Sequence, residues 1–184
     1  DQASKFGFGS KPDSDISMAT SKFPTKLNDA QLALSSIGQY DVAASPLQMA
    51  MVAAGIANDG VLMEPYLTKS VRAANLQTVW THKDTPMSTP MTRESAKQLQ
   101  QMMVSVVNNG TGRNARIDGV TVGGKTGTAQ TSPDKPPYAW FVGWSDKPKV
   151  AVAVFVESSN TERSEIAGGR LGAPIARDVI EALR

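Results

Sequence analysis

Val122-Gly123-Gly124-Lys125-Thr126-Gly127-Thr128-Ala129-Gln130 follows directly on the β-branched run Val120-Thr121-Val122. It precedes a second strand-like run, Tyr138-Ala139-Trp140-Phe141-Val142-Gly143-Trp144, across a proline-rich connection. Glycines 123, 124 and 127 and threonines 126 and 128 thus surround one cation on an extended segment beside a sheet. Glycine in a strand removes side-chain bulk and lets another chain or a ligand approach the backbone. Lys125 supplies a point charge, and the threonine hydroxyls and amides supply hydrogen bonds to an anion. The pattern suits a strand edge that grips a carboxylate.

Gly119 to Thr126 also fits the phosphate-loop pattern G-x-x-x-x-G-K-[ST] letter for letter. That motif needs a helix N-terminus after the lysine to aim its amides at phosphate. Gly127, two more threonines and Pro133 follow instead, so a nucleotide site is set aside. Two readings of these residues stay open. One is a glycine-rich bulge in a structural strand with a solvated lysine. The other is a Lys-Thr-Gly box of the serine acyl-transferases that react with penicillin.

Working outward, the last third reads as an antiparallel meander with strands near 119–130, 138–145 and 149–157. Turn signals at Pro133 to Pro137 and Ser145 to Pro148 separate them. Val150 to Val156 is apolar on both faces, which predicts an antiparallel sheet covered by helices on both sides, an α+β fold. Gly168-Gly169 is expected to break the chain before a last helix at about Ala173 to Leu183. Upstream, Thr92 caps a helix over Arg93 to Asn108 with an apolar stripe at Ala96, Leu99, Met103, Val106 and Val107. Ser45, Pro46 and Gln48 give a capped start to another helix that runs to Asn58-Asp59-Gly60, with a Ser-x-x-Gln capping box. Met49 and Met51 on it read as core filler. Val61 to Arg72 and Leu76 to Lys83 read as short strands, followed by a loop through Pro86 and Pro90. Asp29 to Leu34 is a short mixed stretch, and residues 1–28 an irregular segment anchored by Phe6, Phe8 and Phe23.

The chain has 184 residues, 40% of them hydrophobic and 20% charged, which is enough for one globular domain with a substantial core. Net charge is +2 with scattered basic residues, against a nucleic-acid surface. No run of about 20 apolar residues occurs, so no stretch reads as a membrane span. The lack of cysteine excludes disulfides and thiolate chemistry. No cofactor or metal is expected. His82 is the single histidine; its polar neighbours make it a solvent-exposed bystander rather than a catalytic base.

Six landmarks fall in one order: Ser36-Ile37-Gly38-Gln39, Ser45-Pro46-Leu47-Gln48-Met49-Ala50, Asn58-Asp59-Gly60, Asn109-Gly110-Thr111-Gly112, Gly124 to Gln130, and Ala139-Trp140-Phe141-Val142-Gly143. From Phe6-Gly7-Phe8-Gly9 onward the chain resembles the C-terminal half of a class B penicillin-binding protein transpeptidase domain, nearest the actinobacterial A type. The resemblance implies the fold shared by penicillin-binding proteins and serine β-lactamases, with residues 1–184 forming the C-terminal portion of one domain. It departs from the family in one respect. The Ser-x-x-Lys and Ser-x-Asn motifs that precede the Lys-Thr-Gly box have no counterpart in the right place. Ser132-Pro133-Asp134-Lys135 and Ser158-Ser159-Asn160 fit their letters but come too late, the first among prolines that forbid a helix. The nucleophile is therefore expected on an N-terminal portion outside this chain.

The implied reaction is acyl transfer from a peptidoglycan stem peptide ending in D-Ala-D-Ala, with β-lactams as acylating mimics. By the same resemblance, Lys125 supplies positive potential at the substrate carboxylate and polarises the middle-motif serine. The Thr126 hydroxyl holds the carboxylate, Gly127 keeps the strand clear for the acyl chain, and the Thr128 N–H forms half of the oxyanion hole. A β-lactam sensor or a D,D-carboxypeptidase of the same fold would use the same wall. The implied location is the outer face of the bacterial cytoplasmic membrane, reached through an anchor helix outside these residues. The Gly110-Thr111-Gly112 turn reads as structural, with an indirect role in shaping the cleft as the alternative.

Overall fold

The computed structural model describes residues 2–11, 15, 17–132 and 134–184. Pro133, the first residue of the turn expected at Pro133 to Pro137, and positions 1, 12–14 and 16 of the irregular N-terminal segment lie outside them. The elements in chain order are α1 (Gln2–Lys5), α2 (Asp29–Ser36), α3 (Pro46–Ala57), β1 (Leu62–Met63), β2 (Ser70–Arg72), β3 (Thr78–Thr81), β4 (Pro86–Ser88), α4 (Arg93–Asn109), β5 (Val122–Ala129), β6 (Tyr138–Asp146), β7 (Lys149–Val156) and α5 (Ala173–Ala182).

The main sheet is the expected antiparallel meander, in the order β5-β6-β7. Period-two alternation gives it two distinct faces. On one face Phe141, Val122 and Val152 pack with Val107 and Ile117 under Ala173, Ala176 and Ile180 of α5. On the other, Trp144 packs with Ile56 of α3 and Met103 of α4. Helices therefore cover both faces, as the α+β reading requires. Phe141 is fully buried, and truncating such a ring to alanine costs about 3–5 kcal/mol.

Two of the glycines before Lys125 are accounted for by these rings rather than by a ligand. A Cβ on Gly124 would lie 2.3 Å from the Phe141 ring, and one on Gly123 would lie 2.5 Å from the Trp144 indole. Each ring occupies the space a side chain would need, and only glycine leaves room for it.

Several local expectations need correction. Asp29–Ser36 is a helix, not a mixed stretch: Asn28 accepts from the Gln31 N–H at 2.9 Å while Gln31 accepts from the Asn28 N–H at 3.0 Å. The Ser45 cap on α3 forms as expected, with the Gln48 N–H donating to its hydroxyl at 3.1 Å. The reciprocal half does not form. Buried Gln48 sends its amide to the Phe6 carbonyl at 2.6 Å, and the Ser45 N–H donates instead to Ser21 Oγ at 3.1 Å. The side chain thus pins the N-terminal segment to α3, and within that segment Phe8 and Phe23 meet edge-on. Pro86–Ser88 is a strand paired with β1 rather than loop. Gly168–Gly172 does not break the chain; it is a π-helical turn running straight into α5.

Candidate active site

Among the described residues β5 is an edge strand, paired only with β6. Register sets Lys125 and Gly127 opposite Val142 and Trp140, and Thr126 and Thr128 opposite Phe141 and Ala139. Side chains alternate along a strand, so the cation and the two hydroxyls project to opposite faces. They meet only at the rim. There Lys125, which is exposed, curls back so that Nζ donates to the Thr126 carbonyl oxygen at 2.6 Å.

The backbone of that rim has a defined polarity. In an antiparallel pair, one residue's N–H and C=O point to the same side of the strand. The Thr128 carbonyl accepts from Gln39 Nε2 at 3.5 Å and the Thr126 carbonyl accepts from Lys125, neither of them on β6. The N–H groups of Thr126 and Thr128 therefore also point off the edge, away from β6. A donor that is part of a sheet is fixed before anything binds, which is the requirement for stabilising an anion without reorganisation.

The edge opens on a groove of about 1320 Å³. Its walls include Lys125, Thr126, Gly127 and Thr128, with Gln39 from the loop after α2 and Trp140 from the sheet. Below the rim the same sheet face carries Phe155 in ring contact with Tyr138 and Trp140, at centroid distances of 5.2 and 4.6 Å. The groove is largely apolar with polar groups converging at one lip, the usual make-up of a ligand site.

Around the edge, the hydroxyls of Thr111 and Thr126 lie 2.7 Å apart. Behind it, Gly168 seats its backbone directly on the Gly127–Trp140 pair: a Cβ there would lie 1.9 Å from the Trp140 carbonyl oxygen. Neither contact is legible in the sequence. Gly168 and Gly169 announce themselves in the sequence only as glycines, and nothing in Gly110-Thr111-Gly112 says which strand it meets.

His82 is half-buried rather than solvent-exposed. Its ring stacks on Tyr66 at 3.6 Å beside the small β2–β3 sheet, and it does not line the groove. Ser132 and Ser158 stand in loops; the Lys135 N–H donates to the Ser132 carbonyl at 3.0 Å in a turn, not in a helix that would set Ser132 beside the Lys135 ammonium.

Residues 1–181 match the family model described as the penicillin binding protein transpeptidase domain. The chain belongs to this family. Among curated transpeptidases it is 39% identical, over 98% of its length, to the peptidoglycan D,D-transpeptidase PbpA of Mycolicibacterium smegmatis. Among solved structures it matches penicillin-binding protein A from M. tuberculosis as a ceftriaxone acyl-enzyme complex, with a TM-score of 0.90 at 37% identity over 98% of this chain. The penicillin G acyl-enzyme complex of the same transpeptidase gives 0.86 at 37% identity. The chain spans 38% of the length of the first relative and 42% of each of these two structures.

Proposed function

We propose that this chain supplies the Lys-Thr-Gly wall of a serine D,D-transpeptidase site, and that an upstream portion of the same domain supplies the nucleophile. The observation that carries the reading is the rim of β5. Outward-facing N–H groups of Thr126 and Thr128 and a curled lysine share the lip of one open groove.

In this reading a serine attacks the penultimate D-Ala carbonyl of a stem peptide. The tetrahedral oxyanion accepts a hydrogen bond from the Thr128 N–H and one from the nucleophile's own amide. The carbonyl reforms as D-Ala leaves, and an amine of a second stem displaces the enzyme. Lys125 and the Thr126 hydroxyl hold the terminal carboxylate, and Gly127 leaves the strand clear beside the acyl chain. A β-lactam presents the same carboxylate and acyl group and stops at the acyl-enzyme. The relatives' names, and the acyl-enzyme complexes of a solved relative, support both halves of this account. Such an enzyme works on the outer face of the cytoplasmic membrane. Among the described residues no helix is long and apolar enough to cross a membrane, so in this reading the anchor lies elsewhere in the polypeptide.

Labelled penicillin tests the assignment in the complete polypeptide. Lys125→Ala removes an exposed charge and should leave thermal unfolding unchanged while slowing acylation a hundredfold or more, the scale of about 3 kcal/mol of lost electrostatic stabilisation. Thr128→Ala keeps the backbone N–H and should lose less than tenfold. Acylation of Lys125→Ala at the wild-type rate, or a Thr128→Ala loss as large as that expected at Lys125, would overturn the roles.

A further inference from the structure

Either hydroxyl of the Thr111–Thr126 contact can donate, and binding an anion at Thr126 selects one direction. A hydroxyl carries one proton and two acceptor lone pairs. The two oxygens are 2.7 Å apart, so one of the two protons is committed to the contact. If Thr126 donated to Thr111, it would present only lone pairs to an arriving carboxylate and would repel it. Thr126 can serve an anion only when its own proton is free, which requires Thr111 to be the donor.

Resting on the carboxylate-binding reading of Thr126, we infer that Thr111 is a positioning residue for the carboxylate end of the substrate. Its O–H donates to Thr126 Oγ1 and thereby turns the Thr126 proton outward.

The surroundings hold Thr111 in place for this task. The N–H groups of Gly110 and Gly112, on either side of it, both donate to the Val106 carbonyl at 3.0 Å, closing the end of α4 into a tight loop. The loop is then carried into the core by Ala115, which is fully buried. In the same loop, Asn114 Nδ2 donates to the Gly169 carbonyl at 2.8 Å. Gly169 in turn lies so close that a Cβ on it would stand 2.1 Å from the Thr111 carbonyl oxygen and 3.4 Å from Thr126 Cγ2. The threonine pair is thus clamped between the α4 terminus and the turn before α5. Thr111 itself is exposed, so the contact is not a by-product of core packing. Solvent could satisfy both hydroxyls separately, and the rigid loop holds them together instead.

The test uses the complete polypeptide and compares penicillin G with its methyl ester, whose carboxylate charge is absent. Thr111→Val keeps the side-chain shape and removes the donor. The expected result is a five- to tenfold fall in the second-order rate of acylation by penicillin G, the scale of one neutral hydrogen bond. The fall should lie in the binding constant rather than in the first-order step, and the ester should acylate both proteins equally. Thr126→Val should show the same dependence on the carboxylate, and adding Thr111→Val to it should cost nothing further. An equal loss on acid and ester would make Thr111 a purely structural residue and overturn the inference, as would no loss on either. Failure of the wild-type protein to be acylated by penicillin G would instead overturn the proposed function itself.

Discussion

At the scale of single residues, Lys125, Thr126 and Thr128 bring one charge and two hydroxyls to the lip of one groove. Their sequence spacing already implies alternating faces, yet their convergence depends on the lysine curling over the rim and on β5 lying at the edge of its sheet among the described residues. No local pattern encodes an edge. Asp15 shows the same limit in a humbler setting. It sits in a stretch with no periodicity, and its carboxylate accepts from the N–H groups of Leu67 and Thr68 at 2.8 Å each. The Thr68 side chain, followed by those two amides, lowers its pKa from 3.8 to about 2. A depressed carboxyl pKa favours the folded contact above the unfolded value and loses it as pH falls through the folded one. The link between the N-terminal segment and residues 67–68 should therefore persist at pH 4 and release as pH falls through 2. Carboxyl ¹³C titration of Asp15 checks this: a midpoint near 2 is expected, and a midpoint near 3.8 would show that the clamp does not form in solution.

At the scale of elements, legibility tracks how local the determining forces are. α4 is read from its Thr92 cap, whose hydroxyl accepts from the Ser95 N–H at 3.2 Å, and from its apolar stripe. The three long strands are read from β-branched and apolar runs bounded by turn residues, and each of those signals lies within or beside the element itself. By contrast α2 has little amphipathic pattern, and an Asn-x-x-Gln pair does the work that a stripe does elsewhere. Gln48 fits a local capping box but is claimed by Phe6, 42 positions away. The glycines divide in the same way, and two of them make opposite predictions. A Cβ on Gly168 would meet three backbone atoms within 3.0 Å, at Trp140 and Gly127. Backbone in a sheet cannot step aside, so Gly168→Ala should destabilise the complete protein by about 3 kcal/mol, the upper end for overpacking, and should slow acylation by displacing β5. Gly55, inside α3, has only ordinary contact ahead of it, with Leu62 Cδ1 at 3.5 Å. Gly55→Ala should therefore be neutral or stabilising by up to about 1 kcal/mol through helix propensity. Thermal melts of the two variants check the pair, and shifts of the same sign would contradict the packing argument.

For the molecule as a whole, the deciding feature is an apolar surface that this chain leaves open. Leu32, Ile37, Met102 and Phe155 all line the groove, and Ile37 is 73% exposed there. Contiguous apolar surface of that extent marks a place where further protein packs. In the proposed reading it is where the remainder of the transpeptidase domain seats, bringing its serine to the rim of β5. The alternative is that a serine of this chain does the chemistry, and Ser132 and Ser158 are the two whose flanking letters imitate the family motifs. Neither has the geometry: both lie in loops, without a lysine one helical turn away to take the hydroxyl proton. Acylating the complete protein with penicillin G, digesting it and locating the adduct by mass spectrometry decides between the two. The adduct is expected on a serine upstream of residue 1. Because the Thr128 N–H would still be the second oxyanion donor, Lys125→Ala should reduce its yield at fixed time without moving it. An adduct at Ser132 or Ser158 would place the nucleophile within these 184 residues and leave the groove to some other purpose.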